Sequence, residues 1–131
     1  MGNLSKIISV CILIITLTGC GGGGGSENSK LGPDTHNIKY EVSSSTQNVS
    51  ITYIDEDGKT VNLPNENSHD HPWAYTFTAK NGSHLALSAQ LLGSEIDTVY
   101  VIIFLDNKEV ARELSYSVGV TANTEYDIPL N

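Results

Sequence analysis

The sequence predicts an all-β fold, an immunoglobulin-like β-sandwich of about seven or eight short antiparallel strands. Apolar side chains recur at every second position from Ile38 onward, and turn-forming residues interrupt this pattern at short intervals. No stretch after residue 34 shows a convincing helical period. Strands of this length and spacing are typical of a sandwich, in which two sheets each bury one face.

Two strands are predicted at residues 38–42 and 49–53, where apolar and polar side chains alternate. Residues 55–58, with the sequence Asp-Glu-Asp-Gly, predict a hairpin turn because Gly58 can adopt a positive φ. The return strand is expected to end at Pro64, which has no N–H to donate to a ladder.

The next two strands are predicted on either side of a turn at Asn81 and Gly82. The first carries its apolar side chains on one face, and this phase predicts that Trp73 packs in the core rather than forming an exposed ligand platform. The members of this face are Trp73, Tyr75, Phe77 and Ala79. The second strand carries Leu85, Leu87, Ala89 and Leu91 in the same phase.

The last third of the chain has the longest apolar run. Residues 99–105 are apolar on both faces, which predicts a strand buried centrally or packed on two sides. A turn at residues 106–108 leads to a further strand with Arg112 as the one charged member of an apolar face. That face comprises Val110, Leu114, Tyr116, Val118 and Val120. A short last strand is predicted at residues 126–130.

The composition excludes several classes of function. Asp and Glu number 15 and Lys and Arg 7, for a net charge of −8, and the basic residues form no stripe. We therefore expect no nucleic-acid partner and no charge-driven binding to anionic lipids. The two cysteines, Cys11 and Cys20, both precede the predicted strands. The domain therefore has no disulfide framework, thiolate metal site or cysteine nucleophile.

The N-terminal segment has the layout of a secretory leader. Lys6 precedes an apolar run at residues 7–17, which is shorter than the roughly 20 residues needed to cross a bilayer as a helix. The segment closes with Leu-Thr-Gly-Cys at residues 17–20 and thus resembles the lipobox of bacterial lipoproteins. The resemblance implies that residues 1–19 are a signal peptide and that Cys20 carries the acyl chains that bind the protein to the membrane.

The resemblance divides the chain into three parts. Residues 1–19 are the signal peptide, 20–34 the lipidated cysteine with a Gly/Ser-rich tether, and 35–131 the sandwich domain. A flexible tether of this length spans on the order of 20 Å. In Gram-negative sorting, an aspartate after the lipidated cysteine favours the inner membrane. Gly21 stands there, so the resemblance implies a lipid-anchored envelope protein, with the outer membrane as its default place in a Gram-negative cell.

Several motifs occur in the order seen in one known family. They are residues 40–42 (Tyr-Glu-Val), 51–58 (Ile-Thr-Tyr-Ile-Asp-Glu-Asp-Gly), 72–73 (Pro-Trp), 85–90 (Leu-Ala-Leu-Ser-Ala-Gln) and 101–108 (Val-Ile-Ile-Phe-Leu-Asp-Asn-Lys). With these motifs, residues 38–120 resemble the soluble domain of the MmpS family, the small mycobacterial membrane proteins. The resemblance implies a β-sandwich that assists MmpL transporters of the RND type. The chain departs from the family in having a lipobox in place of a transmembrane helix, and in lacking the cysteines that many members carry on late strands.

Residues 68–71, with the sequence Ser-His-Asp-His, are the one cluster that suggests metal chemistry. His69 and His71 in an extended segment would point to the same side and suit zinc, copper or nickel. A closed site needs further ligands, and His36, Asp70 or His84 would have to join by folding. The alternative is a polar loop before Pro72, and we expect no metal there.

No other motif indicates catalysis. Adjacent Ser, His and Asp do not form a triad, because consecutive side chains diverge. Residues 55–58 lack the spacing of an EF-hand, so a hairpin turn explains them. We therefore expect no enzyme and no cofactor.

The sequence as a whole predicts a lipid-anchored, non-enzymatic accessory or binding module of an envelope complex, with a transporter as one partner class. The sequence identifies no binding residues. Two alternatives stay open. One is a small ligand- or metal-binding lipoprotein that uses His69 and His71, and the other is a structural or surface module that binds proteins through a strand edge.

Overall fold

The structure, a computed structural model, describes residues 34–130. It contains eight strands, all paired in antiparallel fashion, and no helix among the described residues. The strands are β1 (Thr35–Ser44), β2 (Val49–Ile54), β3 (Thr60–Glu66), β4 (Trp73–Lys80), β5 (His84–Leu91), β6 (Ile96–Leu105), β7 (Lys108–Val118) and β8 (Thr121–Asp127). The predicted all-β sandwich is confirmed. The predicted leader, Cys20 and nearly all of the tether lie outside the described residues.

The strands form two four-stranded sheets. Sheet A has the order β4-β1-β6-β7, and sheet B has the order β3-β2-β5-β8. Only the β2–β3 and β6–β7 connections stay within one sheet, whereas every other connection crosses to the opposite sheet. Neighbouring stretches of sequence therefore face each other across the core, as in a Greek-key sandwich.

The core lies between the two inner faces and consists of the side chains at every second position. Its buried apolar members are Ile38, Tyr40, Val42, Val49, Ile51, Tyr53, Leu85, Leu87, Ala89, Leu91, Val99, Val101, Ile103, Ala122 and Ile128. Tyr40 is fully buried, and its hydroxyl donates to the carbonyl oxygen of Ile54 at 2.9 Å. The largest buried ring is therefore also satisfied as a polar group.

The aromatic side chains of β4 face the core, as predicted. Trp73 lies opposite the buried Val42 of β1, and its ring centroid is 5.4 Å from that of Tyr53. Phe77 packs edge-on against Tyr40 with centroids 5.2 Å apart. Trp73 keeps some exposure because β4 is an edge strand. The sequence was thus right about the face of Trp73, although the ring is only half-buried.

The three predicted turns are confirmed by the backbone. Gly58 and Gly82 have φ values of +79° and +84°, which glycine adopts without strain. Asp106 and Asn107 have φ values of 51° and 68°. Two consecutive positive φ angles in a two-residue loop match the type I′ turn, whose twist fits a tight hairpin.

Three sequence predictions about strands were wrong in whole or in part. The last strand, β8, covers Thr121–Asp127 rather than residues 126–130. β3 does not end at Pro64 but continues to Glu66, because β3 is an edge strand and Pro64 lies where the register with β2 shifts. Residues 99–105 belong to a central strand, in keeping with one of the two predicted alternatives, but they are not packed on two sides. Their inner face is buried, while Tyr100, Ile102 and Phe104 stay half-exposed on the outer face of sheet A.

Candidate interaction surface

β7 is an edge strand that pairs with β6 and with no other described strand. The register places Val118 opposite Ile96, Tyr116 opposite Thr98 and Leu114 opposite Tyr100. Directly opposite residues share a face of a sheet. Because the alternate β6 residues Val99 and Val101 point into the core, these side chains all lie on the outer face of sheet A.

Four large apolar side chains on this outer face are exposed. Their exposed fractions are 59% for Ile96, 47% for Leu114, 68% for Tyr116 and 50% for Val118. We call these four residues the β6–β7 patch. Only two other large apolar side chains among residues 34–130, Leu92 and Leu130, are comparably exposed. A contiguous apolar area of this kind on a small domain is typical of an interaction site.

The patch corrects the prediction for the strand after residue 108. The alternation of apolar side chains on β7 was identified correctly from the sequence, but most of the face that carries them points to solvent. Arg112 lies on the same outer face and forms an ion pair with Glu109 at 3.0 Å. The signal that could have revealed the patch was the apolar outer face of β6, because an antiparallel sheet with one solvated face commonly alternates apolar with polar side chains.

A buried carboxylate holds the end of β6 that carries the patch. Asp97 is 3% exposed and accepts hydrogen bonds from the backbone N–H groups of Thr46, Gln47 and Thr98 at 2.7 to 3.0 Å. Burial alone would raise the pKa of Asp97, but these donors together lower it below its usual 3.8. The β1–β2 loop is thereby fixed to the start of β6, directly behind the patch.

The charged residues of β7 are confined to its first half. Lys108, Glu109, Arg112 and Glu113 precede a second half that has no ionisable group except the phenol of Tyr116. At the other end of the outer face, the ammonium group of Lys39 lies 4.6 Å above the ring of Phe104. The uncharged, exposed area is therefore limited to one end of the sheet.

The structure places the predicted histidine cluster in the β3–β4 connection. Ser68 is buried, and its hydroxyl lies 2.8 Å from that of Ser44, so this residue anchors the loop. His69 is half-buried with Nδ1 3.2 Å from Asp70, and His71 is exposed. A hydrogen bond from Asn67, and then the nearby His69, lower the pKa of Asp70.

The other two histidines do not join this loop. His36 contacts Asp106 and Asn81, and His84 contacts Asp127 and Glu125. These contacts lie at the end of the sandwich where β1 begins and β4 ends, whereas the loop precedes the start of β4. Of the three further ligands that a closed site with His69 and His71 would need to draw on, folding places only Asp70 in this loop.

Within residues 34–130, one group of three metal-ligating side chains has candidate ligand atoms that all lie within 4.8 Å of one another, namely Asp55, Glu56 and Asp57. The carboxylate of Asp55 accepts the backbone N–H groups of Asp57 and Lys59, both at 2.9 Å, and thereby closes the β2–β3 turn. The carboxylate of Glu56 accepts a hydrogen bond from the hydroxyl of Tyr75, and this bond raises the pKa of Tyr75 to about 12. The group is explained as the predicted hairpin turn.

A polar cluster that the sequence did not reveal joins the start of β1 to two turns of the domain. His36 on β1 approaches Asp106 through Nδ1 at 2.7 Å and the side-chain oxygen of Asn81 through Nε2 at 2.8 Å. Both partners are acceptors, so both ring nitrogens donate only when the ring is protonated. The bond to Asp106, and then that to Asn81, raise the pKa of His36 above 6.5. No sequence signal links these positions, because they are 45 and 70 residues apart.

No helix suited to crossing a bilayer occurs between residues 34 and 130. No protein-family model matches the chain, and no match is found among curated proteins. The likeness to the MmpS family therefore depends on the sequence motifs alone and stays a prediction.

Proposed function

We propose that this chain is a lipid-anchored, non-enzymatic module of a bacterial envelope, which binds a protein partner through the β6–β7 patch. The observation that carries the proposal is the exposed apolar face of β6 and β7 in an acidic domain. Exposure of these apolar side chains to water is unfavourable, whereas their burial in a protein interface is favourable.

The N-terminal sequence supports the anchor. A lipobox ending at Cys20 and a glycine run directly after it would attach the domain to a membrane through a flexible connection. The first strand begins at Thr35, just after the predicted tether. A net charge of −8 makes electrostatic attachment to anionic headgroups unfavourable, so acyl chains are the mode of attachment that suits this chain.

The likeness to the MmpS family supports an accessory role in an envelope complex, with an RND-type transporter as one class of partner. With a lipobox in place of a transmembrane helix, a different part of the chain would contact such a partner. A transmembrane helix touches a transporter inside the bilayer, whereas an acyl chain does not. We therefore assign the contact to the folded domain, and within it to the patch.

The anchor is tested by Cys20→Ala. We expect this variant to escape processing, to incorporate no labelled palmitate and to lose its lipid-dependent membrane fraction. Cys11→Ala is the matched control, because this second cysteine lies inside the predicted leader and should leave labelling unchanged. Full palmitate incorporation by the Cys20 variant would show that the lipobox assignment is wrong.

The binding surface is tested by placing a photo-crosslinking amino acid at position 116 of the full chain in its native membrane. We expect a specific protein product that is absent without light. The control is the same amino acid at Thr76, which is exposed on the opposite edge of sheet A. If position 116 gives no protein product, or none beyond those from position 76, the proposed function is wrong.

A further inference from the structure

We infer that the β7 edge pairs with the β7 edge of a second copy of this chain, in antiparallel orientation and centred on Ser115. The inference rests on the proposed function and adds a contact between two copies at the edge of the same surface. The product would be one continuous eight-stranded sheet across a two-fold axis, with the two β6–β7 patches joined on one side.

The first step is that the β7 edge is open and unprotected. Edge strands normally carry features that prevent pairing, such as proline, bulges or charged side chains. The β3 edge has Pro64 and a register shift. β7 has its irregularity near Val110 and its charges at or before Glu113. Residues 114–118 have none of these features, so their free backbone groups are available to another strand.

The second step is the distribution of charge. Two chains of net charge −8 repel each other, so a self-contact is favoured only where acidic groups are sparse or matched. An antiparallel pair centred on Arg112 or on Glu113 would place like charges directly opposite each other, which is destabilising. Centring the pair on Ser115 avoids this, because Glu113 then faces the partner's Ser117.

The third step is the match of side chains on the outer face. With Ser115 opposite its counterpart, each Leu114 faces the partner's Tyr116, and Arg112 faces the partner's Val118. Cross-strand pairs of an aromatic and an aliphatic side chain stabilise antiparallel sheets. Two such pairs would form at the centre of the interface, made from side chains that are about half or more exposed in the single chain.

Attachment to a membrane lowers the affinity that this contact between two copies needs. One strand pair buries less than the roughly 800 Å² per partner of a standard interface, so we expect a weak dimer in dilute solution. Two chains anchored in the same membrane meet at a raised effective concentration. A weak, geometrically defined contact is sufficient under that condition.

The register is tested with cysteine variants of the full chain in membranes under mild oxidation. We expect Ser115→Cys to give a disulfide-linked dimer, because opposed Cα atoms of an antiparallel pair lie within disulfide range. Glu113→Cys alone should not give one, but should link to Ser117→Cys when the two variants are co-expressed. The unmodified chain, with Cys11 and Cys20, provides the background.

Dimers of Ser115→Cys no more abundant than background would overturn the inference, as would equal dimer formation by Thr76→Cys. A second measurement does not depend on cysteine. Amine crosslinking in membranes should yield a dimer that Tyr116→Glu abolishes and that Thr76→Glu retains, and its persistence in the Tyr116 variant would also overturn the inference. Photo-crosslinks from position 116 that reach only other proteins would refute the second copy while leaving the proposed function in place.

Discussion

The two edges of sheet A, β4 and β7, differ in the direction of their apolar side chains. Both strands flank the central β1–β6 pair, and both alternate apolar with polar residues. β4 turns Trp73, Tyr75 and Phe77 inward, where they pack against the aromatic residues of the core. β7 turns Leu114, Tyr116 and Val118 outward.

The difference shows what a period of two can and cannot say. Alternation identifies which residues share a face of a strand, because successive side chains point to opposite sides. It does not state which face meets the core. On β4 the outward side chains are small or polar, so the sequence shows which face of this strand meets the core. On β7 the outer face carries the apolar side chains. The inner face is small or polar, and Ser115 there donates a hydrogen bond to the carbonyl oxygen of Thr121 at 3.3 Å.

The sharpest test of this comparison is a pair of aromatic truncations. Trp73→Ala should lower the free energy of unfolding by about 2–4 kcal/mol, somewhat below the range for a fully buried ring because Trp73 keeps some exposure. Tyr116→Ala should change it by less than about 0.5 kcal/mol, since the side chain is 68% exposed. Denaturant unfolding of both variants under identical conditions measures the two values.

Trp73→Phe serves as the conservative control and should retain most of the stability, because it keeps an apolar ring beside Tyr53. Equal losses for Trp73→Ala and Tyr116→Ala would contradict the assignment of inward and outward faces. A loss near zero for Trp73→Ala would instead make this ring a surface group that is available for binding.

A second pair of variants compares the turn that ends β4 with the turn that begins β7. Gly82→Ala should destabilise the domain by about 1–2 kcal/mol, because φ is +84° and the new Cβ would lie 2.7 Å from Cδ2 of Leu130. Asn107→Gly should be neutral or stabilising by up to about 0.5 kcal/mol, since glycine suits the second position of a type I′ turn. Thermal unfolding measures whether each variant is more or less stable than the unmodified chain.

The Gly82 variant needs a control for the contact with Leu130. This side chain is 80% exposed and able to move, so Gly82→Ala combined with Leu130→Ala should still be destabilised. Full recovery in the double variant would mean that the clash, and not the positive φ, determines the cost.

The sequence predicted the strands and turns well because these depend on local information. Alternation identified the core positions of β1, β2 and β5, and Gly58 and Gly82 marked turns that need a positive φ. The prediction that β3 ends at Pro64 was wrong because proline is excluded only from central strands. Whether a strand is central depends on the pairing order. One sequence contains no direct signal for that order.

The candidate surface was harder to predict for the same reason. Whether Tyr116 is core or surface depends on which side of sheet A meets sheet B, and that is a tertiary property. For the histidines, adjacency in sequence offered one candidate site, at His69 and His71, where no metal was expected. His36 instead joins Asp106 and Asn81, at a distance in sequence that no motif spans.

The smallest expected effect concerns this His36 cluster, which ties the turn after β4 to the turn before β7. The pKa of His36 is raised, and the hydrogen bond with His36, then the backbone N–H of Asn37, lower the pKa of Asp106. The stability contributed by His36 is therefore fully present below pH 6.5 and is lost as pH rises through the raised value. That contributed by Asp106 is present above pH 3.8 and is lost as pH falls through the lowered value.

The cluster should thus stabilise the fold most at mildly acidic pH, between those two limits. We expect the difference in unfolding free energy between the unmodified chain and His36→Gln to shrink as pH rises from 5 to 8.5. His69, His71 and His84 are present in both proteins, so the difference isolates His36 and its neighbours Asp106 and Asp34. Asp106→Asn should flatten the same dependence by removing the charged acceptor. If the difference instead grew with pH, His36 would be neutral in the folded domain, and Asn81 would have to present its amide nitrogen to the ring.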